Sequence, residues 1–238
     1  MAVLPIISDA EASAEARVLF EHCTKMLGRT ANALRVAAHS PRVAQPLVGF
    51  MIAALRQEIS GVLDVKTKTL IILKTSMLNG CSYCVGHNTA LGLSLGYSDE
   101  QIDALGGDYR SSDLFTPAEK AAIAWAEYLT ERTYRQHPEA IDDLKSHYSD
   151  AQIVEITMVS GFFNFWNRFV DSLQVELEPQ NVVGNIKKSR KIDPDDYVAF
   201  MRDCWWGEAN TASERRSRIT EDTAGREIAA NRSKTSIE

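Results

Sequence analysis

The chain lacks any apolar run of the ~20 residues that a membrane-spanning helix requires, so no membrane partner is expected. It also lacks a basic excess: 26 Lys and Arg stand against 32 Asp and Glu, for a net charge of -6. With no overall positive field to gather phosphates, nucleic acid is not expected as a partner. Cysteine is scarce, at 4 in 238 residues, too few for a disulfide scaffold in a chain of this length. The opening Met1-Ala2-Val3-Leu4-Pro5-Ile6-Ile7 has neither the basic start nor the long apolar core of a secretory signal, and a cytoplasmic location is expected. No Gly-rich phosphate loop and no alternating strand pattern occur, which leaves nucleotide folds and β-architectures unsupported.

What is present reads as helix. The hydrophobic fraction of 45% and charged fraction of 24% are those of a globular protein with a sizeable core. Helical spacing runs through Ala12, Ala16, Leu19, Phe20, Cys23 and Leu27 to a stop at Gly28, through a short segment at 31–38, and again over 42–59. Asp64 opens a helix through Leu70, Ile71, Ile72 and Leu73 that is apolar around most of its surface and is therefore expected at the centre. Thr116-Pro117-Ala118-Glu119 combines a cap, a proline at the first helical position and a capping-box glutamate. Ser149-Asp150 opens a long apolar helix, which echoes the Asp64 helix at an offset of 86 residues. The prediction is an all-α fold of two similarly built halves. Residues 1–178 form the helical domain and 179–238 a C-terminal extension, with a helix at about 194–206 and a polar, disordered tail beyond. The basic cluster Lys187, Lys188, Arg190 and Lys191 reads as a solvated linker.

One stretch carries chemistry. Asn79-Gly80-Cys81-Ser82-Tyr83-Cys84-Val85-Gly86-His87-Asn88 places two thiols three residues apart and an imidazole three further on. On a helix these lie on one face, and a helix beginning at Cys81 puts both sulfurs in its first turn. There the macrodipole and free N–H groups favour a thiolate. The competing reading is two small buried core residues. Zinc is disfavoured, because Cys23, Cys204 and the other histidines offer no second ligand pair. No metal and no bound cofactor are expected.

Leu63-Asp64, Leu70-Ile71-Ile72-Leu73-Lys74 and Asn79-Gly80-Cys81 with Tyr83-Cys84-Val85 and His87 resemble the signature of the carboxymuconolactone decarboxylase / alkylhydroperoxidase D family. Arg35-Val36-Ala37-Ala38-His39-Ser40-Pro41 upstream, and Phe115 to Glu119, Ser149 to Glu155 and Asn164 to Phe169 downstream, extend the likeness over roughly residues 30–175. The resemblance implies an all-helical, oligomeric protein. It further implies that Cys84 is the peroxidatic thiol, that Cys81 resolves the sulfenic acid to a disulfide, and that His87 moves protons. The family's histidine often stands one residue later, at Asn88, and its glutamate twelve residues before Cys81, at Thr69. A threonine cannot relay a proton at neutral pH as a carboxylate can. Glu155 and Glu58 are therefore the expected replacements, with Tyr83 and Asn88 as candidate substrate contacts.

The expected function is a thiol-dependent peroxidase or disulfide oxidoreductase, an antioxidant activity. Its partners would be a small hydroperoxide or carboxylated substrate, a thiol or dithiol reductant, and further copies of the chain in a homo-oligomer. Two alternatives stay open: a cofactor-free decarboxylase or lyase in which His and Glu act without the thiols, and a non-catalytic helical oligomer.

Overall fold

The computed structural model describes residues 2–206, with the side chains of Trp205 and Trp206 outside that description along with the tail from 207 onward. The expected disorder of the tail therefore lies outside the described residues. Those residues form helices joined by short loops, with no strand among them, and the all-α prediction holds.

The core is set by α5 (Val65–Leu78), whose Leu70, Ile71, Ile72 and Leu73 are at most 1% exposed. Asp64 caps it by accepting the Thr67 amide at 2.9 Å. A helix apolar on all sides must be covered on all sides. Here α6 (Ser82–Ser94), α8 (Pro117–Glu131) and α10 (Asp150–Ser172) pack on it. Both α8 and α10 begin with complete capping boxes, Thr116 with Glu119 and Ser149 with Gln152, where the sequence places them. The helices of the internal echo, α5 and α10, meet through Thr75 and Ser160 hydroxyls 3.0 Å apart. Near the N-terminus, α1 (Ala14–Leu27), α2 (Asn32–Ala37) and α3 (Pro41–Leu55) form a second layer. The expected helix over 42–59 is broken, because Arg56 is extended (φ -120°, ψ 121°) and only the short α4 (Gln57–Ser60) follows it.

The stretch expected to be a solvated linker is packed instead. After α11 (Gln180–Val183) the chain winds as a 3-10 helix over Gly184–Arg190, then as α12 (Pro194–Met201). Val183, Ile186 and Ser189 are all buried, and their spacing of three residues is the 3-10 period. Lys187, Lys188 and Arg190 point outward. This segment lies against α1 and α6, and Phe200 of α12 is fully buried. Its closest approach is at Gly28, the left-handed cap of α1 (φ 77°), where a Cβ would sit 2.8 Å from the Asn185 carbonyl oxygen.

Gly28→Ala should therefore lower stability by at least about 1–2 kcal/mol, the cost of a left-handed non-glycine residue alone, with the backbone collision added. Urea unfolding measures it, and a variant as stable as the parent would contradict this docking.

Candidate active site

The redox stretch begins where α5 ends. Gly80 takes the left-handed conformation (φ 68°), and the Cys81 amide donates back to the Ser76 carbonyl at 3.0 Å, closing α5. The same Cys81 then caps α6, its Sγ accepting the Cys84 amide at 3.4 Å. The Asn-Gly pair thus ends one helix and hands its last residue to the next as a sulfur N-cap.

Cys81 and Cys84 are both buried and both free. Their ionisations are coupled, and the singly ionised pair holds one proton between the two sulfurs. The Cys84 thiol donates to Cys81 and, against the opposing effects of burial and Asp171, that bond together with the Cys84 amide and Asn167 lowers the Cys81 thiol to about 7. The same hydrogen bond, with burial and the neighbouring negative charge, pushes Cys84 strongly upward. A pair coupled this closely loses its first proton as a unit, and the negative charge rests on the N-cap sulfur. The two sulfurs open to different spaces. Cys84 lines a mostly apolar cavity of about 90 Å³ shared with Tyr83, His87, Met51 and Trp166. Cys81 borders a polar cleft of about 440 Å³ with Asp171, Gln174 and Glu176.

His87 has an acidic partner, and it is Glu178. Nε2 lies 2.8 Å from Glu178 Oε2 with both side chains nearly fully buried. The two atoms are in close polar contact, with the carboxylate oxygen off the axis of a well-aligned hydrogen bond. Nδ1 lies 3.2 Å from the Tyr83 carbonyl oxygen, to which it can donate. The other carboxylate oxygen of Glu178 accepts the Tyr83 hydroxyl at 3.0 Å and the Asn32 amide. Burial alone would raise the Glu178 carboxyl, but His87 and the Asn32 amide outweigh it and hold it at about 2. The Tyr83 phenol is pushed well up, chiefly by burial and then by the Glu178 charge.

Glu178 reaches the site because α10 ends in a left-handed turn. Gln174 has φ 51°, and the Val175 amide returns to Val170 at 3.1 Å. The following strap passes so close to α6 that a Cβ on Gly86 would lie 2.8 Å from a Leu177 methyl.

The two carboxylates expected to replace the family glutamate are not hydrogen-bonded to His87. Glu155 pairs with the fully buried Lys68 ammonium at 2.9 Å and accepts the Leu63 amide at 3.0 Å. A buried ammonium without a counterion is costly, and Glu155 is held there. Glu58 lies near Arg56, whose guanidinium feels its charge. Thr69 is fully buried and donates to the Val65 carbonyl at 2.7 Å. Asn88 donates to the Cys84 carbonyl at 2.8 Å and lines the Cys84 cavity. Asn167, in α10, joins the site from the other side. It is 1% exposed, bonds Asn79 and Ser76 at 3.1 Å each, and also reaches the sulfurs. Among the described residues no group of three or more His, Cys, Asp or Glu side chains is arranged to hold a metal, and no helix is long and apolar enough to cross a membrane.

With this geometry in place, comparison with known proteins defines the class as an AhpD-like helical fold. A putative antioxidant defence protein AhpD from Agrobacterium tumefaciens superposes with a TM-score of 0.55 at 27% identity, over 61% of this chain and 97% of that one. The debrominase Bmp8 superposes at 0.61 with 22% identity, over 76% and 95%. Residues 41–128 match the model of the carboxymuconolactone decarboxylase family, the family whose signature the sequence resembles. An uncharacterised Bacillus subtilis protein, YdfG, is 28% identical over 103 residues, 43% of this chain and 69% of its own length.

The shared proton makes a prediction. A thiol titration followed by thiolate absorbance should show one group ionising near the value of about 7 set for Cys81. Cys84→Ala removes the hydrogen bond that lowers it, so the ionisation should move to higher pH. A midpoint unchanged in the variant would contradict the pairing.

Proposed function

We propose that the protein is a dithiol oxidoreductase that reduces a small hydroperoxide at Cys84. The observation that carries this reading is the free Cys81–Cys84 pair at a helix N-terminus, with Cys81 Sγ as the cap and His87 and its carboxylate beside the Cys84 cavity. In the reaction, the Cys84 proton passes to Cys81 as the Cys84 sulfur attacks the terminal peroxide oxygen. The O–O bond breaks, Cys84 becomes a sulfenic acid, and the alkoxide leaves as alcohol with a proton from His87. Glu178 stabilises the charged imidazole before that transfer and orients the ring, as a carboxylate does for a catalytic histidine.

Cys81, having released its proton, attacks the sulfenic sulfur. A disulfide forms, and hydroxide leaves and is protonated to water. The balance is one hydroperoxide and two thiols to one alcohol, one water and one disulfide. A thiol or dithiol reductant then restores the pair, and the polar cleft beside Cys81 is its route of approach. Helical sulfur capping favours Cys81 as the thiolate at rest, while the cavity favours Cys84 as the sulfur that meets substrate. The shared hydrogen bond lets one proton serve both. A lyase of the carboxymuconolactone decarboxylase type would use His87 and Glu178 and leave the thiols idle.

Under this reading Cys81→Ser treated with one equivalent of cumene hydroperoxide should accumulate a dimedone-reactive sulfenic acid at Cys84. Cys84→Ser should accumulate none, and the parent protein should pass on to the disulfide. Mass spectrometry of the labelled peptides reads all three. Retention of full activity on peroxide by both serine variants would sink the proposal.

A further inference from the structure

The Cys84 cavity has a second end, built from two arginines that the proposed peroxide chemistry leaves unused. Arg56, where the chain breaks between α3 and α4, is 5% exposed. It donates to the Leu55 carbonyl and to the Ser189 hydroxyl, each at 3.0 Å, and its Nε is buried with no hydrogen-bond partner. Arg29, in the loop after α1, makes one long 3.5 Å contact to the Leu27 carbonyl, and its Nε is likewise buried and unpartnered. Both guanidiniums line the cavity that holds Cys84 and His87. Among the described residues neither has a carboxylate within ion-pair distance. Burial chiefly, opposed by the Glu58 charge and helped by the Arg29 charge, lowers the Arg56 guanidinium to about 10.

Two like charges desolvated beside each other with unmet donors are unfavourable in an empty cavity, and the Glu178 charge near Arg29 and the Glu58 charge near Arg56 offset this only in part, since neither carboxylate meets the Nε donors. They become favourable when an anion enters, because guanidinium donors match a carboxylate's two oxygens. The remaining wall is apolar: Leu34, Met51, Leu55, Phe163 and Trp166.

We propose that Arg29 and Arg56 form an anion-receiving subsite, so that the substrate presented to Cys84 is a small apolar molecule bearing one carboxylate-like group. The volume of about 90 Å³ limits it. At about 10–15 Å³ per water-sized position, this is room for about six to nine non-hydrogen atoms. The extension completes the subsite, since Ser189 holds Arg56 and Ile186 closes the wall. The assignment deepens the oxidoreductase reading by naming its substrate class, and it rests on that reading only for what happens at sulfur.

Binding of butyrate and benzoate, each against its neutral amide, tests this by calorimetry on the reduced protein and on Cys84→Ser. The acids should bind at least about tenfold more tightly than the amides, the scale of one charge-assisted hydrogen bond, in both proteins. Arg56→Gln and, separately, the less buried Arg29→Gln should each remove most of that preference. Circular dichroism and melting temperature identify a variant that has lost its fold, in which case the other decides. Equal binding of acid and amide, no binding of either, or a preference untouched by the folded arginine variants would overturn the subsite. An acid preference with no peroxide turnover would leave the subsite standing and remove the peroxidase reading. Peroxide turnover without the preference would do the reverse.

Discussion

The site depends on one contact that joins distant parts of the chain, the pairing of His87 with Glu178. A carboxylate held ionised under burial needs partners, and His87 beside it is the first of them. Glu178 is further fixed by the Tyr83 hydroxyl and the Asn32 amide, so one carboxylate ties α2, α6 and the strap after α10 together. The left-handed turn at Gln174 and the missing side chain at Gly86 let the strap come close enough to make that contact. The contact, in turn, positions the wall of the Cys84 cavity.

Where the thiols are concerned, position decides chemistry. Cys81 and Cys84 are the same residue type in the same turn, yet capping geometry draws the negative charge to one and the proton to the other. The surroundings divide in the same way, with a polar cleft at Cys81 and an apolar cavity at Cys84. In the proposed reaction, such a division lets substrate and reductant reach the two sulfurs from different sides. The 184–190 segment belongs to this arrangement, because its Ile186 and Ser189 form part of the wall of the Cys84 cavity.

Much of the fold was legible in the sequence because its signals are local. Asp64, Thr116 and Ser149 announce helix starts by their own side chains, Gly28 and Gly80 announce ends, and the Leu70–Leu73 run of α5, apolar around most of the helix, announces its central place. The Cys81–His87 stretch was legible for the same reason. Glu178 was not, because its role depends on where a turn after α10 sends the chain, and no local pattern encodes a contact with His87. Glu155 looked equally suitable by sequence, and only the burial of Lys68 beside it shows why it is committed elsewhere. The 3-10 spacing of Val183, Ile186 and Ser189 was hidden by the neighbouring lysines, which gave the segment a solvated composition. Arg29 and Arg56 gave no motif at all, since their meaning comes from unmet donors in a closed space.

The central claim is that Glu178 is the acidic partner through which His87 works. Glu178→Gln keeps an oxygen to accept from Tyr83 and Asn32 while removing the charge that His87 faces. Steady-state peroxide turnover of this variant with a dithiol reductant, alongside its melting temperature, tests the claim most directly. The account predicts that a folded variant loses turnover by about a hundredfold or more, the lower range of general acid–base catalysis, while its Cys81–Cys84 thiols still titrate as in the parent. Full turnover in a folded Glu178→Gln variant would contradict it.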